Sequence, residues 1–471
     1  MPEYDAVVVG AGPNGLSAAI ELARNDQKVL VVEGGETIGG GARTDELTLP
    51  GFRHDVCSAV FALGHASPFF KSLDLQRYGL EWIQPDIPVA HALDDGSAAI
   101  HRSIEETADG LGSDGLAYRR LLDPLVKNPR ALYDTVLGPI VRVPPHPLFA
   151  ARFGLRGLPS ASRLAKRFES IRAKALISGL AGHATTDLAN PLTGAMALVL
   201  AAAAHTDGYP FAKGGSQALV DALAAHLVDL GGEVVTGTWV KTLDDLPSAS
   251  AYVLNLMPAA AAELAGSAIP ARRSGRMRKW KHGSATFKVD YATSAPIPWR
   301  DETLRSAGTM HLGGTFDEVA SAEGDVWRGR HAEKPFVILA QPSIFDSTRA
   351  PEGNHTVWAY AHVPNGDDRD VSDRITSQIE RFAPGFRETI LGQYETTPTA
   401  MAAHNPNNVG GDIGAGRFSV RRIVARPRLS LNPHRLGAGV FLCSAASPPG
   451  VGVHGMSGYH AARSVLRELD R

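Results

Sequence analysis

The chain has 471 residues, more than the ~250–300 at which a single hydrophobic core stops growing, so two domains are expected. Hydrophobic residues make up 44% and charged residues 20%, a balance typical of a soluble globular protein. The 47 Lys and Arg residues are spread along the chain and are matched by 49 Asp and Glu, which argues against a nucleic-acid partner. Cys57 and Cys443 match no metal-ligand spacing, so we expect free thiols, no metal site and a reducing compartment.

No charged-then-apolar leader precedes the first predicted strand, so the sequence predicts a cytoplasmic protein. The longest uncharged apolar run, residues 191–204, is shorter than the ~20 residues that a membrane-spanning helix needs. We therefore expect a buried helix there.

The first 33 residues predict a β-α-β unit, with strands at 4–10 and 28–33 and a helix between them. Gly10, Gly12 and Gly15 form G-x-G-x-x-G between the first strand and the helix, where the backbone can approach a pyrophosphate. Glu33 ends the second strand, where its carboxylate can accept hydrogen bonds from a ribose and would repel a 2′-phosphate. This spacing predicts a site for an adenosine dinucleotide.

A second glycine cluster, "GGETIGGGART", follows the acid and contains Gly39, Gly40 and Gly41. It ends in Arg43, whose guanidinium can pair with phosphate. A diffusible nicotinamide needs no second cluster, whereas a tightly held FAD, with its longer body, does. We therefore predict FAD as the cofactor, bound without a covalent link.

Later strands are predicted at 251–256 and 438–446, so the nucleotide domain is assembled from separated segments. We assign 1–66, 206–270 and 428–471 to an FAD-binding domain, and 67–205 and 271–427 to a substrate-binding domain. The predicted fold class is α/β, with a Rossmann-type FAD-binding domain built from discontinuous segments and a mixed-sheet and helical substrate domain.

The Pro-rich stretch 138–168 interleaves large apolar residues with basic ones. This pattern suits a surface that touches anionic lipid as a peripheral membrane contact and admits an apolar substrate. A solvated helical hairpin with ordinary core contacts explains the same pattern, and the sequence leaves both interpretations open. The apolar residues are Leu148, Phe149, Phe153, Leu155, Leu158 and Leu164, and the basic residues are Arg142, Arg152, Arg156, Arg163, Lys166 and Arg167.

Three motifs carry a resemblance to a known family: the opening glycine motif with its "GGGART" tail, "KGGSQALVDALAAHLVDLGGEV" at 213–234 and "SAASPPGVGVHGMSGYHAA" at 444–462. In order and spacing the chain resembles the phytoene desaturase-like flavoprotein oxidoreductases, whose outline is shared by the larger amine oxidase superfamily. The likeness continues through the middle of the chain, in "HLGGTFDEVASAE" and "NPNNVGGDIGAG".

The resemblance implies further cofactor contacts. It places the backbone of Val240, in a strand pair within "GGEVVTGTWV", against the adenine. It places Gly452, Val453 and Gly455 ahead of the last helix, which begins near Met456. The N-terminal amides of that helix would face the flavin pyrimidine ring and stabilise its reduced, anionic form.

The resemblance also implies two candidate catalytic residues. Lys288, in "GSATFKVDYA", matches the strand that carries a flavin-facing lysine in amine oxidases, although carotenoid-type desaturases generally lack that lysine. A lysine on a solvated strand face is the alternative. Tyr459, in "MSGYHAA", falls where amine oxidases place an aromatic ring beside the flavin, or simply begins the last helix. For His311 and His362, as for His355, a structural role is favoured over substrate contact.

The resulting prediction is an FAD-dependent desaturase, dehydrogenase or redox isomerase that transfers hydride from an apolar, polyene- or lipid-like substrate to flavin. One alternative is a flavin amine oxidase that uses Lys288, and another is a flavin-binding protein without turnover. The sequence leaves the substrate, the net direction, the electron acceptor and the oligomeric state open.

Overall fold

The computed structural model describes residues 2–470, which form an α/β fold with two large sheets. The strands are β1 (Tyr4–Val9), β2 (Val29–Val32), β3 (Thr44–Asp45), β4 (His54–Asp55), β5 (Trp82–Ile83), β6 (Ile87–Leu93), β7 (Gly96–Ile100), β8 (Phe211–Ala212), β9 (Glu233–Val235), β10 (Ala249–Leu254), β11 (Ala285–Thr293), β12 (Ala307–Leu312), β13 (Val337–Ala340), β14 (His355–Val363), β15 (Ile390–Thr396), β16 (Arg435–Gly437) and β17 (Val440–Leu442).

The α-helices are interspersed with short 3₁₀ turns. They are α1 (Pro13–Ala23), α2 (Ala62–Ala66), α3 (Pro68–Lys71), α4 (Ile104–Gly110), α5 (Gly115–Val126), α6 (Pro129–Val136), α7 (Pro147–Gly157), α8 (Ala161–Ala165), α9 (Ile171–Gly182), α10 (Thr193–Thr206), α11 (Gln217–Asp229), α12 (Pro258–Leu264), α13 (Ala271–Met277), α14 (Phe316–Trp327), α15 (Ser372–Phe382), α16 (Phe386–Thr389), α17 (Pro398–His404), α18 (Val420–Val424) and α19 (Met456–Leu469).

The first sheet has the order β16-β17-β10-β1-β2-β9, and its neighbours run parallel except for β16. Its central strand, "YDAVVV", is apolar and almost wholly buried because helices cover the sheet on both faces. The strands come from three separated parts of the sequence, which lie at 4–32, 233–254 and 435–442. Their carboxyl ends meet at one edge, which is where α/β sheets bind ligands.

The second sheet has the order β15-β11-β14-β13-β12-β6-β7, with one parallel pair, β6 and β12. Its two faces differ in chemistry because side chains alternate along each strand. One face packs apolar residues such as Phe287 and Leu339 against α15. The other face carries Thr309 and His311 on β12 and Tyr360 on β14. The predicted fold class, a Rossmann-type sheet plus a mixed-sheet and helical part, is confirmed.

Two local features position the site. Helix α10 buries the apolar run at 191–204, as predicted, and within residues 2–470 no helix is both long and apolar enough to cross a membrane. Helix α19 packs directly on α1 because Gly458 presents no side chain: a Cβ at that position would overlap the backbone oxygen of Asn14. This contact brings the C-terminal segment beside the glycine turn.

Candidate active site

One cavity of about 1300 Å³ runs between the carboxyl edge of the first sheet and the polar face of the second. Ligand pockets usually measure ~300–1,000 Å³, so this volume can hold a cofactor and a second molecule. One end is lined by both glycine clusters, and the other by side chains of α7, α10, β13 and β14. Within the described part of the chain, no group of three His, Cys, Asp or Glu side chains is arranged to hold a metal ion.

Glu33 organises the glycine end. Its carboxylate accepts hydrogen bonds from the backbone N–H of Ala11 at 2.7 Å and of Gly35 at 2.9 Å. The predicted clusters also meet, since a Cβ on Gly40 would lie 3.3 Å from the Cα of Gly12. The second cluster is therefore the wall that faces the first, and Gly10, Gly12, Glu33, Gly40 and Gly41 all line the cavity.

Gly15 does not line the cavity but fixes the turn. A Cβ at Gly15 would overlap the carbonyl oxygen of Gly10, so only glycine fits there. Gly10 has a φ of +99°, which also favours glycine. The carbonyl of Gly10 accepts a hydrogen bond from Asn255 Nδ2 at 3.3 Å. Asn255 follows β10 and was missed at the sequence level, where the signal was one polar residue inside the apolar run "AYVLNL".

Arg43 lies on the same wall of the cavity. Its Nη2 donates to the carbonyl of Thr37 at 2.8 Å, and its Nη1 lies 3.5 Å from the carbonyl of His404. The guanidinium is 4.0 Å from Glu33 Oε1, which links the two predicted residues directly. Burial, reinforced by the Arg43 charge, lowers the pKa of His404, so its ring is neutral near pH 7.

Several buried polar atoms at this end have no hydrogen-bond partner within residues 2–470, although such atoms are normally satisfied. They belong to residues that line the cavity and comprise Asn14 Oδ1, Arg43 Nε, His404 Nε2 and Asn408 Nδ2. Together with the glycine cradle, they fit a polar ligand with several acceptor and donor groups. FAD has these groups in its ribose, pyrophosphate and ring system, so the residues present fit this cofactor.

Val240 lines the cavity, but the predicted strand pair around it is wrong. Only Glu233–Val235 forms a strand, and Gly237 then turns the chain with a φ of +65°. The loop is held by the backbone N–H of Thr238, which donates to the carbonyl of Glu33 at 2.9 Å. Val240 therefore reaches the cavity from a loop.

The C-terminal segment does not place Gly455 and the N-terminal amides of α19 against the cofactor site, as the resemblance had implied. Gly452 and Val453 line the cavity, but Gly455 and Met456 do not. The first amide of α19, that of Met456, donates to Nδ1 of His454 at 3.1 Å and is not free to face a ligand. A Cβ at Gly455 would overlap the hydroxyl of Ser17, so this residue packs against α1. His454, which sequence reasoning missed, lies on the cavity wall in their place.

Lys288 does not line the cavity and is only 1% exposed. Its ammonium pairs with Asp290 on the same face of β11, and the second carboxylate oxygen of Asp290 lies 3.5 Å from His54 Nδ1. The predicted solvated face is therefore wrong, and the flavin-facing arrangement is not seen either. The charge of Lys288 acts on the Cys57 thiol, which lines the cavity and has a pKa raised by burial to about 11.

Tyr459 also lies away from the cavity, which corrects the prediction that its ring flanks the flavin. It packs on Phe69 with ring centroids 5.4 Å apart and lines a separate cavity of about 420 Å³. The rotation of α19 is fixed by the contact of Gly458 with α1, and this rotation turns Tyr459 outward.

The three histidines considered from the sequence do not line the cavity. His362 is buried and pairs with Glu323 at 2.9 Å, and His355 contacts Ser343 at 3.2 Å. His311 reaches the cavity only through His183, whose Nε2 lies 2.9 Å from Nε2 of His311. The sequence gives no signal for this pair, because its members are 128 residues apart.

The fold and the cavity define a Rossmann-type protein with a site for a dinucleotide cofactor. A family model described as an NAD(P)-binding Rossmann-like domain matches residues 8–73. The chain is 25% identical to pyridine nucleotide-disulfide oxidoreductase domain-containing protein 2 of Mus musculus, over 99% of this chain and 94% of that protein. It is 26% identical to the phytoene dehydrogenase of Streptomyces griseus, over 84% and 79% of the two chains.

Among solved structures, a putrescine oxidase variant matches with a TM-score of 0.63 and 15% identity, over 99% of both chains, a likeness of fold. More particularly, the chain resembles the phytoene dehydrogenases in sequence and the putrescine oxidases in fold. The resemblance seen in the sequence is confirmed.

Proposed function

We propose that the protein is an FAD-dependent desaturase, dehydrogenase or redox isomerase that acts on an apolar, polyene- or lipid-like substrate. The observation that carries this proposal is the continuity of the cavity, which joins the glycine and Glu33 cradle to an apolar chamber. The chamber is lined by Phe153, Met196, Val199, Leu200, Ile338 and Trp358.

These side chains support hydride chemistry by positioning. FAD, when bound, would supply the hydride acceptor. Hydride leaves a carbon only when the C–H bond is held ~3–3.5 Å from the accepting atom, so a close-fitting apolar wall is the main catalytic device. The aliphatic and aromatic residues of the chamber hold an apolar body and exclude water. Among the described residues, the acidic side chains that line the cavity are Glu33 in the cradle and Glu263 on α12, not on the elements that form the chamber, which favours positioning over proton transfer by a carboxylate.

We predict that the purified protein carries FAD, roughly one per chain, which acid precipitation releases. Replacing Glu33 with Ala should reduce flavin retention about tenfold or more, because hydrogen bonds to a charged acceptor contribute ~1.5–3 kcal/mol. The substitution also frees the amides of Ala11 and Gly35. Glu36→Ala, at an exposed position three residues away, is the matched control and should retain flavin. Unchanged occupancy in Glu33→Ala, or release of FMN alone, would remove Glu33 from the site.

The Lys288 geometry gives the amine oxidase alternative no support. We expect Lys288→Met to lower the free energy of unfolding by about 3–5 kcal/mol, because it leaves the buried Asp290 carboxylate without its cation. Anaerobic flavin reduction by the substrate should stay within a few-fold. Urea denaturation and stopped-flow absorbance measure the two effects. The double variant Lys288→Met with Asp290→Leu should recover most of the stability. Rapid bleaching of the flavin by simple amines, lost in Lys288→Met, would instead establish the alternative.

A flavin that no reductant bleaches would favour the remaining alternative, a protein that binds flavin without turnover. Dithionite titration under anaerobic conditions is the direct check. We expect full reduction, because the cavity connects the cradle to a chamber large enough for a second molecule.

We further propose that residues 138–168 contact an anionic membrane surface as a peripheral site of substrate entry. Phe153 and Leu164 pack inside, but Val143, Leu148 and Leu155 are 92%, 74% and 78% exposed. The same stretch supplies Ile140 and Arg142 to the cavity wall, so the exposed residues lie beside the apolar chamber. Apolar groups flanked by arginines suit the headgroup boundary of anionic lipid.

Liposome flotation tests this proposal. The protein should float with anionic vesicles at low salt and less with neutral ones, because each basic residue near an anionic surface contributes about 1 kcal/mol. A variant with Val143, Leu148 and Leu155 changed to Ser should lose most of the recovery. No recovery of the wild-type protein with anionic vesicles would leave 138–168 as an ordinary helical hairpin.

A further inference from the structure

The apolar chamber contains one hydrogen-bonded pair of histidines. His183 follows the last residue of α9 and lines the cavity, whereas His311 on β12 is fully buried behind it. Their Nε2 atoms are 2.9 Å apart and their ring centroids 5.0 Å apart. Burial lowers the pKa of His183 to about 3, with a smaller contribution from His362, and moves that of His311 in the same direction. Both rings are therefore neutral near pH 7.

The surroundings decide which nitrogen carries each proton. A bond between two Nε2 atoms needs one proton, held by either ring. Nδ1 of His311 is buried and has no partner in residues 2–470. A buried N–H without an acceptor is rarer than a buried acceptor without a donor, so the bare nitrogen of His311 is Nδ1. Its Nε2–H then donates to Nε2 of His183, and His183 carries its own proton on Nδ1.

The pair is held rigidly by a gap in α9. A Cβ at Gly179 would overlap Nδ1 of His311 and lie 2.6 Å from Nδ1 of His91. The rings of His311 and His91 therefore occupy the space that a side chain at Gly179 would fill. His91 is fixed in turn by its Nε2–H, which donates to the carbonyl of Gly314 at 2.7 Å. Glycine inside a helix costs about 0.5–1 kcal/mol relative to alanine. This destabilisation of α9 falls at the residue against which His311 and His91 pack.

The chamber side of the pair has no partner. Nδ1 of His183 makes no hydrogen bond to the described residues, and its ring lines the cavity. Thr309, two residues before His311 on the same strand face, also lines the cavity, and its buried hydroxyl has no partner among residues 2–470. Ile338 lies opposite His311 in the sheet, so these polar atoms interrupt an apolar wall.

We propose that the substrate is an apolar molecule with one hydrogen-bond acceptor, a carbonyl or hydroxyl oxygen, which the Nδ1–H of His183 binds. This inference rests on the proposed function and narrows its substrate class. The hydrogen bond fixes the substrate along the chamber, so His183 is a substrate-binding residue. The hydroxyl of Thr309 is the second group within the same wall that can meet the oxygen.

A ligand-by-variant cycle tests the proposal on the FAD-loaded protein. The probes are 2-acetylnaphthalene and 2-isopropenylnaphthalene, which differ only in that C=O is replaced by C=CH₂. Calorimetry gives the ratio of their dissociation constants in the wild type and in His183→Phe. The cost of removing each probe from water cancels between the two proteins. We expect the preference for the ketone to fall about two- to thirteenfold in His183→Phe, since one hydrogen bond contributes a net ~0.5–1.5 kcal/mol.

His355→Phe, at a histidine outside the cavity, is the control and should leave the ratio unchanged. If His183→Phe does not fold, the carbonyl stretching frequency of the bound ketone in the wild-type protein decides, because a hydrogen bond lowers it. An unchanged ratio, an unshifted carbonyl band or no binding of either probe would overturn the proposal. A shifted ratio in a protein whose flavin is never reduced by substrate would uphold the histidine donor and reject the redox function.

Discussion

Between pH 6.5 and pH 5.5 the protein is expected to lose at least about 4 kcal/mol of its unfolding free energy. Four buried histidines alone account for a loss of this size, since burial holds the pKa of His91, His205 and His454 at about 4 and that of His434 at about 3. In the unfolded chain each titrates near 6.5. The unfolded state therefore binds more protons than the folded state throughout this window, so stability falls as pH falls.

Each of these histidines favours unfolding by about 1 kcal/mol more at pH 5.5 than at pH 6.5, because its unfolded pKa lies near 6.5. The free energy of unfolding of a domain is usually only ~5–15 kcal/mol, so the four histidines together remove a large part of it. Above about pH 7.5 the four rings are neutral in both states, so stability should change little from this source. Urea denaturation at a series of pH values measures the slope, which equals the number of protons taken up on unfolding.

A single substitution checks the assignment. The Nδ1–H of His434 donates to the carbonyl of Leu442 at 2.9 Å, and its Nε2 has no partner within residues 2–470. Since the partner is a carbonyl, the ring donates, and Gln at this position can keep that hydrogen bond. His434→Gln should lower the slope by about one proton. A flat stability profile down to pH 5 would show that these rings are not buried as neutral groups.

The sequence predicted the parts of the site that are local. Gly10, Gly12 and Gly15 act within one strand-to-helix turn, and Glu33 closes the next strand, so their spacing determines their geometry. Arg43 and Gly40 follow within ten residues and form the facing wall. Contacts of this short range leave a pattern in the sequence because the intervening chain has few ways to fold.

Contacts between distant segments left no such pattern. His183 and His311 meet only because α9 packs on the second sheet at Gly179. Tyr459 turns away from the cavity because Gly458 sets the rotation of α19 against α1. For Lys288, a signal was present: Asp290 lies two residues away on the same strand face, which is the spacing of a buried ion pair. The spacing of Lys288 and Asp290 predicted the environment of the lysine better than the resemblance to a flavin-facing lysine did.

Gly15→Ala is expected to abolish flavin binding and to lower the Tm by a few degrees. The added Cβ would overlap the backbone oxygen of Gly10, which cannot rotate away as a side chain could. The carbonyl also accepts the amide of Asn255, so opening the turn disturbs the neighbouring strand as well. Overpacking typically costs about 1–3 kcal/mol, and backbone is less yielding than side chains. We expect flavin occupancy below one tenth and, because unfolding entropy scales with chain length, a Tm lower by ~1–3 °C.

The loss of flavin must be separated from the loss of fold, and Gly12 allows this. A Cβ at Gly12 would meet Asn255 Nδ2 at 3.1 Å and Gly40 Cα at 3.7 Å, contacts that small shifts relieve, yet it would project into the cradle that Gly12 lines. Gly12→Val should therefore lose flavin while the Tm of the flavin-free protein changes little. Gly275→Ala, at an exposed helical position with open space around it, should keep flavin and gain up to about 1 kcal/mol. Full flavin occupancy in Gly12→Val would mean that the pyrophosphate does not pass between the two glycine clusters, even if Gly15→Ala unfolds as expected.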